Sequence, residues 1–140
     1  MKSITEYSVF ISAGESSADS LGAAAVRAVR NCLPENAYID WRGSAGRAMR
    51  EAGVEAACGQ STPSAAGLLE LLPRARELYE FRRKLFSAAI DRHYDLALLI
   101  DMPDFHLPLG RRFRAGLRLC CCAMPMFAAE HTAAPELRRP

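Results

Sequence analysis

The sequence predicts an α/β fold with a doubly wound parallel sheet, on three observations. Leu96–Ile100 (LALLI) is a continuous apolar run without alternation, the pattern of a strand covered on both faces. Tyr7–Ala13 (YSVFISA) is rich in apolar and β-branched residues and runs into Gly14, as a central strand runs into a loop. Strand-like runs alternate with segments of helical period along the chain, and strand–helix–strand units of this kind close right-handedly onto a parallel sheet. At 140 residues and 50% hydrophobic composition the chain has the length of one domain, on the prior of roughly 100–200 residues per domain, and ample apolar content for a core.

After the first strand, a helix is expected from Asp19 or Ser20 to Arg30, with Leu21, Ala24, Ala25 and Ala28 as its apolar stripe and Pro34 blocking continuation. Ala37–Trp41 (AYIDW) reads as the second strand. Gly43-Ser44-Ala45-Gly46 then opens a short helix through Ala52, closed by Gly53, and Val54–Cys58 reads as a short third strand. A short helix over Ala65–Leu72 is interrupted at Pro73, and a longer one follows over Arg74–Arg92 with the stripe Leu78, Phe81, Leu85 and Ala88 or Ala89. After Ile100 a helix is expected over Pro108–Ala115, with Pro108 in its first turn and Gly116 ending it, before a last strand over Leu117–Cys122. No internal repeat or low-complexity segment shows.

Composition excludes several classes of function. Lys+Arg 18 against Asp+Glu 16, a net charge of +2, is too even to argue for nucleic acid or an anionic surface. The N-terminus Met1-Lys2-Ser3-Ile4-Thr5-Glu6 has no apolar signal-peptide core, and no run of about 18 apolar residues occurs, so the sequence reads as a soluble cytoplasmic protein. The five cysteines, three of them consecutive at Cys120, Cys121 and Cys122, make neither a disulfide framework nor a metal spacing; reduced thiols packed as small hydrophobes in a strand are expected. The basic residues Arg74, Arg76, Arg82, Arg83, Lys84 and Arg92 cluster on the long helix. A cluster of this kind is either a solvated outer face or a surface drawn to anionic lipid headgroups.

The chemistry-bearing residues lie in two acidic turns, each directly after a buried strand, where open α/β sheets collect their sites. In Ser12-Ala13-Gly14-Glu15-Ser16-Ser17-Ala18-Asp19, Gly14 and the start of the first helix present free N–H groups assisted by the helix dipole. No G-x-G-x-x-G is present, so the turn is not a dinucleotide fingerprint. Asp19 and Ser16 or Ser17 are also suited to capping that helix, with Asp19 the better candidate cap, whereas Glu15 has no capping need to serve. In Ile100-Asp101-Met102-Pro103-Asp104-Phe105, a carboxylate at the mouth of a low-dielectric sheet gains proton affinity toward the range useful to a general base. Asp101 is equally suited to an Asx-type turn or to capping the helix expected after His106, Asp104 is better suited to such a structural role than to catalysis, and His106 itself reads as a polar loop residue.

Four ordered segments resemble the N-terminal half of the lipid-A-disaccharide synthases, over Tyr7 to Leu119. They are Ser12–Asp19 with Gly22-Ala23; Arg42-Gly43 with Arg47-Ala48-Met49 and Ala52-Gly53-Val54-Glu55; Gly67-Leu68-Leu69-Glu70-Leu71-Leu72-Pro73-Arg74; and Ile100–Phe105. The resemblance implies the Rossmann-like, acceptor-side N-terminal domain of a two-domain GT-B glycosyltransferase over residues 7–119. It implies transfer of an acylated glucosamine from UDP to acylated glucosamine 1-phosphate with inversion, and no cofactor or obligatory metal. On that resemblance Asp101 is the candidate base for the acceptor hydroxyl and Glu15 a second active-site carboxylate. Gly14, Ser16, Ser17, Asp19 and Asp104 become candidate substrate-binding residues. The implied partners are acylated glucosamine phosphate, UDP-acylglucosamine and the surface of the inner membrane, with no nucleic acid.

The chain departs from the family pattern at several positions. Ala18 stands in place of a glycine, Arg42–Gly46 lacks a Gly-Gly-Pro, and His106 stands where asparagine is customary. Residues 120–140 read as a divergent or frameshifted tail in place of the family's Tyr-Val-Ser-Pro segment, without the C-terminal domain that grips the nucleotide sugar. The expectation is therefore a chain inactive by itself. The alternatives are a non-catalytic remnant or acyl-sugar-binding module, and a receiver-type phosphoacceptor domain with Tyr94–Asp104 as its acceptor strand and turn. The latter lacks an acidic pair after the first strand and a lysine after Lys84.

Overall fold

The computed structural model describes residues 4–59, 71–111, 113 and 118–122. Five strands, β1 (Thr5–Ala13), β2 (Ala37–Ser44), β3 (Glu55–Cys58), β4 (Leu96–Ile100) and β5 (Arg118–Cys122), form one parallel sheet in the order β3-β2-β1-β4-β5. Helices α1 (Ser16–Cys32), α2 (Arg47–Glu51), α3 (Leu71–Ile90) and α4 (Pro103–Gly110) connect them. This is the Rossmann-like order, which reverses direction between β1 and β4; a receiver domain instead has the order 2-1-3-4-5.

Both faces of the sheet are covered, as the apolar strands require. Val9, Ile11 and Ala13 of β1 pack with Ile100 against Ala18, Ala23 and Val26 of α1 and Met49 of α2. Phe10, with Ala97 and Leu99 of β4, packs on the other face against Phe81, Leu85, Ala88 and Ala89 of α3 and Leu109 of α4. LALLI therefore sends alternate side chains into two different cores. Register between β1 and β4 is fixed at their start by a reciprocal clamp. The Ser8 N–H donates to the Asp95 carboxylate at 2.8 Å, and the Asp95 N–H donates to the Ser8 carbonyl at 2.8 Å. Val9 then pairs with Leu96, and the register carries through to Ala13 beside Ile100.

Several boundaries differ from the sequence expectation. Helix α1 starts at Ser16, and it buries Ala18, Asp19, Gly22, Ala23 and Val26 in place of the expected Leu21–Ala28 stripe. In so alanine-rich a helix two faces have helical period, and the one that packs is the one small enough to approach. A Cβ on Gly22 would lie 2.5 Å from the Met49 sulfur. Strand β2 runs three residues further than expected, to Ser44, across a bulge at Gly43 and Ser44. Helix α2 closes as expected at Gly53, with φ +93°: the Gly53 N–H donates to the Arg50 carbonyl and the Val54 N–H to the Met49 carbonyl, each at 3.0 Å.

Helix α3 includes Pro73 and does not break there. Of its expected stripe Phe81, Leu85, Ala88 and Ala89 are buried and Leu78 is half-buried, and Arg76, Arg82, Arg83 and Lys84 are exposed. The helix expected over Ala65–Leu72 falls largely on residues 60–70, outside the described set. Helix α4 begins at Pro103, not Pro108, so Pro108 sits inside it. Either proline suits a first turn. The turn at Asp101 and Met102 lets the earlier one take it.

Candidate active site

The site is built where the sheet order reverses. Ala13 and Ile100 are paired residues at the carboxyl ends of adjacent parallel strands, so the turns after them leave the same edge of the sheet. Gly14 is buried, and Glu15 serves as the N-cap residue of α1 in extended backbone, φ −126° and ψ 166°, without a side-chain capping bond. Glu15, Ser16 and Ser17 are exposed there. Opposite them stand Asp101 and Met102, both half-buried and both left-handed, at φ 60° and φ 49°. Asp104 lies in the first turn of α4; its side chain is outside the described set.

The two turns touch. A Cβ on Gly14 would fall 1.7 Å from the Met102 sulfur, so only glycine leaves room for that side chain. Two consecutive non-glycine residues in the left-handed region cost on the order of 1–2 kcal/mol each. Met102 is also followed by Pro103, which favours extended backbone in the residue before it. The His106 ring lies against this turn. Its Nδ1 bonds the Asp101 carbonyl, and its Nε2 lies 2.9 Å from the Ser12 hydroxyl of β1. Ser12 is 1% exposed and His106 4% exposed, so this contact is sealed within the sheet–helix interface. Burial pushes the His106 pKa below its usual 6.5, while the Asp101 carbonyl and the Asp101 charge act in the opposite sense.

His106 is thus a buried residue of α4, not the loop residue the sequence suggested. The available signal was its place in Phe105-His106-Leu107-Pro108-Leu109: one polar group in an apolar run needs a partner. Nothing in the sequence announces the left-handed conformation of Met102. Met102 is the N-cap residue of α4, and among the described residues the Asp101 carboxylate has no hydrogen-bond or ion-pair partner.

Asp19 has a different place. It is 4% exposed, and its carboxylate accepts from the N–H groups of Gly46 at 2.8 Å, Ala48 at 2.8 Å and Met49 at 3.2 Å. It caps a helix, as expected, but the helix is α2 and not its own α1. Of the seven residues singled out in the sequence, Gly14, Glu15, Ser16, Ser17 and Asp101 gather at the β1–β4 mouth. Asp104 joins them through its backbone position in α4, and Asp19 turns away toward α2. Among the described residues no group of three or more His, Cys, Asp or Glu is placed to hold a metal ion.

Comparison with known proteins adds what geometry alone does not give. Residues 9–118 match the family of lipid-A-disaccharide synthetase, LpxB. The chain belongs to the lipid-A-disaccharide synthase family. It is 36% identical over 104 residues to the lipid-A-disaccharide synthase of Nitrosococcus oceani, covering 74% of this chain and 26% of that protein. The corresponding enzyme of Myxococcus xanthus is 32% identical over 122 residues, 86% of this chain and 31% of the relative. That of Anaeromyxobacter sp. (strain K) is 38% identical over 106 residues, covering 76% and 27%. The chain thus spans between about a quarter and a third of the length of these synthases. The family and the five-stranded parallel sheet agree on the Rossmann-like half of a GT-B glycosyltransferase.

Proposed function

We propose that this chain supplies the acceptor half of a glycosyl-transfer cleft that joins two acylated glucosamines. The observation that carries the reading is the pairing of Ala13 with Ile100, which opens Glu15 and Asp101 onto one edge at the reversal point of the sheet. Asp101 takes the proton of the acceptor hydroxyl as that oxygen attacks the anomeric carbon of the donor. The bond from that carbon to UDP breaks as the new one forms, and UDP leaves with the electron pair; attack from the opposite face inverts the centre. Glu15 is the second carboxylate at the mouth. Gly14, Ser16 and Ser17 offer backbone N–H and hydroxyl donors at the α1 N-terminus, suited to an anionic sugar phosphate. Asp104 completes the acceptor side, and Asp19 acts at one remove by fixing α2.

Both sugars must be held in near-attack geometry for such a transfer, and the matched region is a minority of the relatives' length. We therefore assign binding of the acceptor, and not turnover, to the 140-residue chain by itself. Among the described residues no helix is long and apolar enough to cross a membrane. The exposed Arg82, Arg83 and Lys84 of α3 suit contact with an anionic lipid surface, each contributing about 1 kcal/mol there.

The test is a chimera in which this stretch replaces its counterpart in an intact synthase. Changing Asp101 to Asn preserves size and removes the basic oxygen, and kcat should fall by about 10²–10⁴. Full turnover in that variant overturns the assignment and leaves a non-catalytic binding module. The purified chain alone, given UDP-diacylglucosamine and acylated glucosamine 1-phosphate, should release no UDP.

A further inference from the structure

We infer that His106 is a positioning residue: as its Nδ1–H tautomer it donates to the Asp101 carbonyl, accepts from the Ser12 hydroxyl, and so holds the left-handed Asp101–Met102 turn against β1. The chemistry of the partners decides the tautomer. A carbonyl can only accept, so the nitrogen facing Asp101 carries the hydrogen. The other nitrogen faces a serine hydroxyl at 2.9 Å, which can donate to it. Both groups are buried, and burial disfavours the doubly protonated ring.

The arrangement links three elements. Ser12 belongs to β1, Asp101 follows β4, and His106 is on α4, one turn after the Met102 carbonyl that accepts its N–H at 2.9 Å. Gly14, two residues after Ser12, is the surface on which Met102 rests. The imidazole therefore fixes the backbone from which the Asp101 carboxylate projects without itself facing the mouth. It is not a nucleophile's partner, because Ser12 is sealed from any substrate. The significance of this holding for catalysis rests on the proposed role of Asp101; the tautomer and the turn do not.

The first measurement is long-range ¹H–¹⁵N correlation of the imidazole nitrogens in the ¹⁵N-labelled 140-residue chain. A protonated Nδ1 and a bare Nε2 at neutral pH are expected; an Nε2–H tautomer, or an averaged mixture of the two, overturns the inference. The second is the set of backbone couplings that report φ at Asp101 and Met102. His106→Phe keeps a ring and loses both bonds, so the positive-φ signature should disappear. His106→Asn places an amide N–H where Nδ1 stood and should keep it. Ser12→Ala serves as the milder variant should His106→Phe not fold, and should broaden the same two amides. An unchanged turn in His106→Phe, or in Ser12→Ala where that variant stands in for it, overturns the inference.

In the chimera, His106→Phe should lower kcat by about 10- to 100-fold with a smaller change in KM, and His106→Asn should restore it. If Asp101→Asn is silent there while the tautomer and couplings stand, the proposed function fails and the positioning survives. If Asp101→Asn abolishes turnover but His106→Phe does not lower it, the positioning fails and the function survives.

Discussion

Asp19 Oδ1 accepts the amide hydrogen of Gly46 at 2.8 Å, so a side chain one turn into α1 determines where α2 begins. With Ala48 and Met49 also donating, one carboxylate serves the Ncap, N2 and N3 amides of a helix only five residues long. Such a helix has little stability of its own.

Asp19→Ala should therefore cost more than an ordinary cap, about 2–3 kcal/mol, because three amides lose a charged acceptor in a buried place. Asp19→Asn keeps one acceptor oxygen and should cost roughly half as much. Urea midpoints of the two variants check the order, and equal midpoints for Asp19→Ala and the unaltered chain would remove the carboxylate from any structural role.

Gly14→Ala should destabilise by about 1–3 kcal/mol through overpacking against Met102. The same change in a Met102→Gly background should be cheaper, with a coupling of about 1 kcal/mol or more, since the sulfur it strikes is gone and glycine accepts φ 49° freely. A double-mutant cycle by urea unfolding measures this, and strict additivity would mean the two turns do not press on each other.

Gly43→Ala should be worse than Gly14→Ala, at about 3 kcal/mol or more. A Cβ at Gly43 would sit 1.8 Å from the Ile11 carbonyl oxygen, which is central backbone and cannot swing aside, and φ is +156°. Thermal unfolding of the two alanine variants side by side gives the ranking.

Stability should fall on mild acidification in a way that depends on His106. Burial, the largest influence, lowers its pKa from 6.5, against the Asp101 carbonyl bond and charge. Below about pH 6.5 the unfolded chain binds a proton that the folded one refuses, so unfolding becomes easier as pH drops toward the folded-state value. Above about pH 7 both states hold a neutral ring and the contribution is flat. The slope of unfolding free energy between about pH 7 and pH 5 should be smaller in His106→Asn, by up to about 1.4 kcal/mol per pH unit. Identical slopes would show that the ring is not held neutral by the fold.

What the sequence disclosed followed from how local each signal is. LALLI gave its strand to the residue because a five-residue apolar run has one reading in a parallel sheet, and the α3 stripe was legible because large residues mark it. The α1 face was not, because alanine and glycine carry almost no directional signal and the choice between faces is made by Met49 across the interface. The start of α4 depended on a backbone conformation at Asp101 and Met102 that their residue types do not advertise. Asp101 and Glu15 were visible as acidic residues after strands. The Ser12–His106 contact was not, because it is made only when the sheet has closed.

That closure spans 94 positions between Ser12 and His106. A nascent chain that has emerged through β3 already holds Gly14, Glu15 and the Asp19-capped α2, yet nothing there resembles a catalytic mouth. The mouth is formed by the pairing of β4 with β1, an entropically demanding contact for segments so distant in the chain. The edge shared by the two acidic turns therefore exists only while β4 and α4 stay seated on β1, and a local detachment of that pair would separate Asp101 from Glu15.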